Sequence, residues 1–299
     1  MTPSLRIAIV GDVHDLWQPQ LDQAMLQALM VDLVLFVGDF GNEVVPLIQA
    51  IASLELPKAV ILGNHDAWYS ASEWGKKNCP YDRRLEDRVQ QQLDLLGDTH
   101  VGYGRLDLPE FQLSIVGGRP FTWGGSEWKN HQFYADRYGI DNFEQSAARI
   151  IANAAASPYD TVIFLGHNGP FGLGNQPQDI CGKDWDSMPG DYGDPDFARA
   201  IAATQKNIPL VTFGHMHHRL RSNGKLRKAL VELNQTIYFN AASVPRIFWE
   251  QGKAIHHFAI ADLEQGRVSQ ASLVWIDQDL QIWQELCLYQ AGRQLVEQI

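Results

Sequence analysis

Residues 5–14 read LRIAIVGDVH, a short apolar run that ends in glycine and is followed at once by Asp-Val-His. A run of this length, bounded by a turn residue, predicts a buried strand. The pattern recurs at 31–39 (VDLVLFVGD) and 59–66 (AVILGNHD), and segments 21–30 and 43–54 between them have the apolar spacing of helices. This alternation predicts a parallel sheet covered by helices and places the chain in the α/β class.

The same alternation continues further along the chain, with longer connections. Strands are predicted at 113–117, 161–165 and 210–213, and helices at 142–156 and 196–204. The parallel-sheet pattern therefore extends well beyond the first three strands.

Three segments depart from this alternation. Residues 67–110 carry tryptophans, arginines and a polar helical stretch, which predicts a lid-like insertion. Residues 218–276 are expected to be antiparallel, because Asn223-Gly224 is a tight-turn signal between extended segments. The stretch from 278 is expected to be helical or peripheral. No linker-like stretch divides the chain, so we predict a single domain over residues 1–299.

The composition excludes several classes of protein. The 299 residues include 24 Lys and Arg against 35 Asp and Glu, for a net charge of −11, and 45% are hydrophobic. Such a chain can build a core and is not expected to coat nucleic acid or anionic membranes. It has no apolar run of membrane-spanning length, and its three widely separated cysteines indicate no disulfide scaffold. These features favour an acidic cytoplasmic enzyme without a membrane partner.

Five polar motifs each follow a predicted strand. They are Gly11-Asp12-Val13-His14, Gly38-Asp39, Gly63-Asn64-His65-Asp66, Gly166-His167 and Gly214-His215-Met216-His217. Ligands of open α/β sheets bind beyond the carboxyl ends of the strands, so the motifs are expected to converge at one edge. Carboxylate and imidazole together suit first-row metals, and this many ligands suits two ions with a carboxylate between them. Two such ions form a clamp for in-line attack at phosphorus.

Each motif has a simpler explanation when it is taken alone. Gly-Asp after a strand is common turn chemistry, and a single histidine such as His167 is usually a loop or core residue. Gly-Asn-His-Asp is more distinctive, because four polar or turn-prone residues end an apolar strand. The order and placement of all five motifs together favour a metal site.

In this order the motifs resemble those of the calcineurin-like metallophosphoesterases: Asp-x-His, Gly-Asp, Gly-Asn-His-Asp/Glu, a histidine, then Gly-His-x-His. The resemblance spans residues 12–217. It implies a four-layer αββα sandwich with the metal site at the C-terminal ends of the strands. It also implies two bound metal ions, with Mn, Fe or Zn expected, and direct attack of a metal-bridging hydroxide on a phosphoester. Gly-Asp-Phe-Gly-Asn at 38–42 departs from the Gly-Asp-x-x-Asp-Arg-Gly of the Ser/Thr protein phosphatases, which disfavours that branch.

The resemblance also implies a role for each residue of the motifs. Seven would bind the ions: Asp12, His14 and His217 the first, Asn64, His167 and His215 the second, with Asp39 bridging both. His65 would stabilise the transition state and protonate the leaving oxygen. Asp66 would hold the orientation of the His65 ring.

Residues outside the motifs are candidates for substrate contact. Arg119 follows a predicted strand and is placed to grip a phosphate, although a structural arginine explains its position equally well. His131 lies in a tryptophan-rich loop and is a weaker candidate. The basic hairpin 218–228 is more simply a solvated turn, but it is close enough to widen a positive zone. Tryptophans near the motifs could stack on a nucleobase, or form core beneath a lid.

The favoured function is hydrolysis of a small soluble phosphomonoester. A phosphodiesterase acting on a nucleotide-like substrate is the first alternative, because both reactions use this ligand set. A metal-binding scaffold without activity is the second, and the complete set of ligand types together with His65 argues against it. A nuclease is disfavoured by the net charge of −11, so nucleic acid is not an expected partner.

Overall fold

Two β-sheets packed face to face, with helices on their outer sides, make up the protein. The computed structural model describes residues 4–185, 188–221 and 223–293. The strands are β1 (Leu5–Val10), β2 (Leu33–Phe36), β3 (Lys58–Val60), β4 (Arg105–Leu108), β5 (Leu113–Gly117), β6 (Thr161–Leu165), β7 (Leu210–Phe213), β8 (Leu230–Leu233), β9 (Thr236–Asn240), β10 (Ile247–Glu250), β11 (Lys253–Glu264), β12 (Arg267–Asp277) and β13 (Ile282–Gln290). The α-helices are α1 (Pro19–Ala28), α2 (Val45–Ala52), α3 (Glu73–Lys77), α4 (Arg88–Leu96), α5 (His131–Tyr138), α6 (Phe143–Ala155) and α7 (Pro195–Ala203).

Each sheet has a parallel part that carries the polar motifs and an antiparallel part beside it. The first sheet has the order β13-β12-β11-β1-β2-β3, with β10 paired to β11. Its strands β1, β2 and β3 are parallel, and β11 runs antiparallel to β1. The second sheet has the order β4-β5-β6-β7-β9-β8, in which β5, β6, β7 and β9 are parallel. Each sheet therefore presents a row of parallel carboxyl ends.

Side-chain alternation along the strands divides the core in two. Ile7 of β1 and Ile163 of β6 belong to an apolar cluster formed by residues of both sheets. Their neighbours Ala8 and Phe164 point the other way, and Phe164 packs edge-on against Phe197 of α7, with the ring centroids 5.9 Å apart. Because successive strand residues face opposite sides, one apolar run serves both the inter-sheet core and the helix-covered core. The predicted four-layer αββα sandwich is confirmed.

Several predicted elements agree closely with the structure. The strands predicted at 113–117, 161–165 and 210–213 have those bounds in β5, β6 and β7. Helix α2 starts at Val45, so Pro46 lies in the first turn, where its missing N–H costs no hydrogen bond. Helix α6 is preceded by Asn142, whose side chain accepts hydrogen bonds from two backbone N–H groups of the first turn.

For the stretch from residue 278 the helical alternative is wrong, whereas a peripheral position agrees with the structure. Residues 282–290 form β13, which pairs antiparallel with β12 at the edge of the first sheet. Its polar residues suit helix and strand alike, and its four leading residues are exposed because the strand has no neighbour on its outer side. Pairing with β12 decides the conformation, and that contact cannot be read from the local sequence.

The segments 67–110 and 218–276 are built into the sandwich. Within the first, α4 packs on α2 and β4 pairs with β5, so its second half extends the fold. Gln92 of α4 also reaches a polar motif, where it donates to the carbonyl oxygen of Asp66 at 2.8 Å. The second contributes antiparallel pairs such as β11 with β12, but its β9 joins β7 in parallel. The single-domain boundaries 1–299 stay a prediction. No helix within the described ranges has the length and apolar character needed to cross a membrane.

Candidate metal centre

The polar motifs lie along the seam between the two sheets. Asp12, Asp39 and Asn64 follow the parallel strands β1, β2 and β3 of the first sheet. His167 and His215 follow the parallel neighbours β6 and β7 of the second. Since parallel carboxyl ends share an edge and the sheets pack face to face, residues distant in sequence meet here.

Close packing at this seam requires glycine at Gly63. A Cβ atom there would lie 2.4 Å from Oδ1 of Asp39, far inside van der Waals contact. Several candidate ligands also adopt left-handed backbone conformations, which are unfavourable for residues other than glycine. The φ angle is 41° at Asp12, 42° at His14, 54° at Asp39 and 65° at His215. Each such residue costs about 1–3 kcal/mol, and clusters of them are typical of functional sites.

A first group of donors comprises Asp12, His14 and His217. Nε2 of His217 lies 3.2 Å from Oδ2 of Asp12 and 3.3 Å from Nε2 of His14. Oδ2 of Asp12 is buried and receives no hydrogen bond from the described residues, whereas Oδ1 accepts the backbone N–H of His215 at 3.0 Å. A buried carboxylate oxygen without a donor, facing two imidazole nitrogens, fits a cation between them.

A second group comprises Asn64, His167 and His215, with Asp39 beside them. Nε2 of His167 lies 2.9 Å from Oδ1 of Asn64, 3.2 Å from Nδ1 of His215 and 3.4 Å from Oδ1 of Asp39. Nδ1 of His167 donates to the carbonyl oxygen of Val37 at 2.7 Å, which leaves the lone pair of Nε2 directed at this group. The donor set again suits a first-row metal ion.

Burial and neighbouring charges shift the pKa values of four of these candidate ligands. Burial, together with the nearby His167, lowers the pKa of His215 to about 3, so this imidazole is neutral at pH 7. Burial opposes ionisation of both carboxyls, but His217 lowers the pKa of Asp12 and His167 lowers that of Asp39. Metals bind ionised carboxylates and neutral imidazoles, the forms favoured here for Asp12, Asp39 and His215. His217 differs, because burial lowers its pKa but the hydrogen bond with Asp12 outweighs this effect and raises it, so an ion would have to displace a proton from this ring.

His65 is held over this site by three contacts. Its Nδ1 lies 2.6 Å from Oδ1 of Asn42, which assigns the Nδ1 proton and leaves Nε2, 4.0 Å from Oδ2 of Asp39, on the site side. Its ring stacks on Trp68 with centroids 4.4 Å apart and meets the edge of His14 at 4.8 Å. Burial lowers the pKa of His65, which makes its protonated form a stronger acid.

The contacts of Asp66 do not agree with the role predicted for it, which is to hold the His65 ring. Its carboxylate accepts backbone N–H groups from Gly63 at 2.7 Å and from Asp39 and Phe40 at 3.0 Å each. Asp66 therefore ties the turns after β2 and β3 together and does not orient the His65 ring. The side chain that contacts the His65 ring is Asn42. The sequence indicates this residue only by its position, because it ends Gly-Asp-Phe-Gly-Asn where the Ser/Thr phosphatase pattern has its second aspartate.

Neither candidate substrate contact reaches the site. Arg119 is buried, with its guanidinium 2.7 Å from Asp194 and 3.0 Å from Asp196, and it faces the ring of Trp128 at 4.8 Å. It bridges the loop after β5 to the start of α7, which is the structural alternative. His131 is the exposed first residue of α5 and does not line the cavity beside the metal ligands.

The structural role of Arg119 gives a testable expectation. In Arg119→Met, two carboxylates that Arg119 holds would remain buried without their cation, and the variant should lose roughly 3 kcal/mol of unfolding free energy. Urea denaturation measures this loss, with the exposed Arg199→Met as the control. An Arg119→Met protein of wild-type stability with a raised KM would instead restore the substrate-binding role.

A cavity of about 370 Å³ is lined in part by the candidate ligands Asp39, Asn64, His215 and His217. Its other walls come from four chain regions. They are Trp68, Trp123, the loop residues Asp184, Trp185 and Tyr192, and the hairpin residues Arg219, Arg221 and Arg227. The motifs alone gave no indication of the loop residues. The one signal for them is that Trp185 and Tyr192 lie in a stretch otherwise rich in Gly, Pro and Asp.

Comparison with known proteins agrees with this geometry. The calcineurin-like phosphoesterase pattern matches residues 5–219. One crystal structure, 11% identical, covers 89% of this chain and 98% of its own, with a TM-score of 0.55. The structure of a dimetal phosphatase from Danio rerio is 12% identical, covers 95% of this chain and 98% of its own, and has a TM-score of 0.49. The structure of a hypothetical protein from Thermus thermophilus is 15% identical, covers 91% of this chain and 99% of its own, and has a TM-score of 0.47. No curated protein matches the sequence.

The family pattern covers most of the chain, including both sheets' motif-bearing strands. The first of these structures shares the two-sheet fold at low sequence identity. The chain therefore belongs to the calcineurin-like phosphoesterase family, whose members are metal-dependent phosphoester hydrolases.

Proposed function

We propose that this protein hydrolyses a small phosphomonoester, using two metal ions held by Asp12, His14, Asp39, Asn64, His167, His215 and His217. The observation that carries the proposal is the position of Asp39. Its carboxylate lies within 4.8 Å of donor atoms of His167 and His215 on one side and of His14 on the other. A carboxylate shared in this way suits a bridge between two ions.

The remaining residues of the site would position the reacting groups. Two ions bound here would activate water and offset charge on the phosphoryl oxygens. The backbone N–H of His65 donates to Oδ1 of Asp39 at 2.9 Å and fixes that carboxylate. The turns that carry Asp39 and Asn64 are joined by the three N–H groups that Asp66 accepts.

His65 would supply the proton that the leaving oxygen needs when the P–O bond breaks. Asn42 holds Nδ1, so a second proton on the ring resides on Nε2, which faces the site. Delivery of that proton returns the neutral ring, whose lowered pKa favours the transfer.

The decisive experiment compares p-nitrophenyl phosphate with bis-p-nitrophenyl phosphate after removal and readdition of Mn²⁺, Fe²⁺ or Zn²⁺. The proposal expects metal-dependent turnover of the monoester to exceed that of the diester. Preference for the diester would make the protein a phosphodiesterase, and turnover of neither substrate with any metal would contradict the enzyme assignment. Elemental analysis of the purified protein should give about two ions per chain.

Trp68 should act on the reaction through His65, because its indole stacks on the imidazole and on Trp123, with centroids 5.2 Å apart in the second stack. In Trp68→Leu, kcat for an alkyl phosphate should fall roughly 10-fold, while the metal content is kept. Trp249→Leu is the control, because Trp249 is 69% exposed and does not line the cavity.

A double-mutant cycle separates positioning from a general loss of structure. Trp68→Leu should have little further effect when His65 is already alanine, since the stack then has no ring to hold. Independent, multiplicative losses in the double variant would show that Trp68 acts elsewhere.

A further inference from the structure

We infer that the cavity beside the metal centre selects a nucleotide that carries a second phosphoryl group, away from the one that is cleaved. This inference rests on the proposed function. It is carried by two features of the cavity wall: a pair of unneutralised arginines and a set of aromatic rings.

The arginines belong to the hairpin that follows His217. The backbone of Arg219 pairs with that of Leu226 in an antiparallel β-bridge across the hairpin. Both Arg219 and Arg221 are exposed and line the cavity. Among the residues that the structure describes, no carboxylate lies within ion-pairing distance of either guanidinium. The Arg221 guanidinium faces the ring of Trp185, at 5.8 Å.

Arg227 differs from these two arginines and explains why the hairpin is firm. It is buried, lies 3.5 Å from Asp184, and donates to the carbonyl oxygens of Pro177, Asp179, Gly182 and His217. The same Asp184 accepts the backbone N–H of Arg221 at 2.8 Å. The backbone is therefore fixed while the guanidinium of Arg221 stays free to bind an anion.

The arginine pair lies outside both donor groups, and Arg221 is placed at the wall formed by Asp184 and Trp185, where it can bind an anion apart from the one at the metal centre. His217 belongs to the first donor group, and Arg219 and Arg221, which follow it in the chain, line the same cavity. In a chain with a net charge of −11, two exposed cations in one cavity form a local positive field. Guanidinium groups favour phosphate, which they bind with two parallel hydrogen bonds.

The aromatic residues supply surfaces for a flat ring. Trp185 is 42% exposed and rests against the edge of Tyr192, with centroids 4.5 Å apart. The Tyr192 hydroxyl accepts a hydrogen bond from Lys129 at 2.7 Å, which holds this wall in place. Trp123 forms part of the facing lining. Stacking of a base on an aromatic side chain contributes about 1–3 kcal/mol.

The size of the cavity agrees with a small nucleotide. A volume of about 370 Å³ lies within the range of pockets for small organic ligands and is far larger than a bare phosphate requires. The metal end, the rings and the arginines together match one molecule with a phosphoester, a base and a second phosphoryl group.

The test uses the metal-loaded enzyme and four substrates that separate ring from second phosphate: ribose 5-phosphate, fructose 1,6-bisphosphate, AMP and adenosine 3′,5′-bisphosphate. The last should have the highest kcat/KM, roughly 10-fold above AMP. In the double variant Arg219→Gln/Arg221→Gln, the ratio of kcat/KM for adenosine 3′,5′-bisphosphate to that for AMP should fall to about 1, mainly because KM for the bisphosphate rises. Trp185→Leu should instead reduce the ratio of kcat/KM for the adenine compounds to that for the sugar phosphates. Lys225→Gln, on the same hairpin but outside the cavity lining, should keep the wild-type preference.

Calorimetric binding of adenosine 3′,5′-bisphosphate to the metal-free protein separates this inference from the proposed function. Binding that the double arginine variant weakens, without turnover of any phosphoester, would support the subsite and contradict the phosphatase. Turnover of p-nitrophenyl phosphate without any preference among the four substrates would overturn the subsite alone. A preference for fructose 1,6-bisphosphate equal to that for the nucleotide would overturn the ring-binding part.

Discussion

Asp39→Asn is expected to abolish nearly all phosphoester hydrolysis, with a fall in kcat/KM of about 10³-fold. Asparagine keeps the shape of the side chain and can still accept the backbone N–H of His65. It removes the negative charge that the two donor groups share. Elemental analysis should therefore show fewer than two ions per chain, and excess Mn²⁺ should restore activity only in part.

The control for this variant is Asp82→Asn, which makes the same chemical change in a side chain whose partner is the exposed Arg84. It should keep wild-type activity and metal content. An Asp39→Asn protein that still bound two ions and turned over normally would contradict the bridging role of Asp39.

His65→Ala is expected to lose roughly 10²–10⁴-fold in kcat for an alkyl phosphate while the protein keeps its metal ions. The loss should be much smaller for p-nitrophenyl phosphate, because p-nitrophenolate leaves readily without a proton. This dependence on the leaving group is what distinguishes proton donation from binding. His131→Ala, which removes an exposed histidine outside the cavity, is the matched control.

Metal analysis of the same variant decides between two roles for His65. Its ring nitrogen lies within 4.8 Å of donor atoms of His14 and Asp39, so the geometry alone would also allow a ligand. The hydrogen bond to Asn42 and the stack on Trp68 favour a ring held for proton transfer. Loss of one ion in His65→Ala would identify it as a ligand instead.

The sequence predicted those parts of the fold that depend on local pattern. β1, β5, β6 and β7 are short apolar runs ended by glycine or a polar motif, and their bounds agree with the structure. The helical alternative for the segment of β13 is wrong because an edge strand with many polar residues has no distinctive local pattern. Its conformation depends on pairing with β12, a contact that only the folded chain provides.

The candidate site divides in the same way. Candidate ligands such as Asp12 and His167 could be named because each lies just beyond a strand end, where topology alone brings it to the seam. The contacts of Asn42 and Arg119 could not be predicted, since they depend on side-chain geometry between segments far apart in the chain. Arg119 illustrates the ambiguity: its place after a strand is the same for an anion-binding residue and for a buried bridge.

The seam between the sheets has a consequence for measuring the protein. Asp12 and His14 come from the first sheet and His217 from the second, and Asn64 faces His167 in the same way. An ion in either group would fasten one half of the sandwich to the other. Ligands that bind only the folded state raise the melting temperature by mass action. The melting temperature measured at a series of metal concentrations would therefore report how much of the site is occupied, without any substrate.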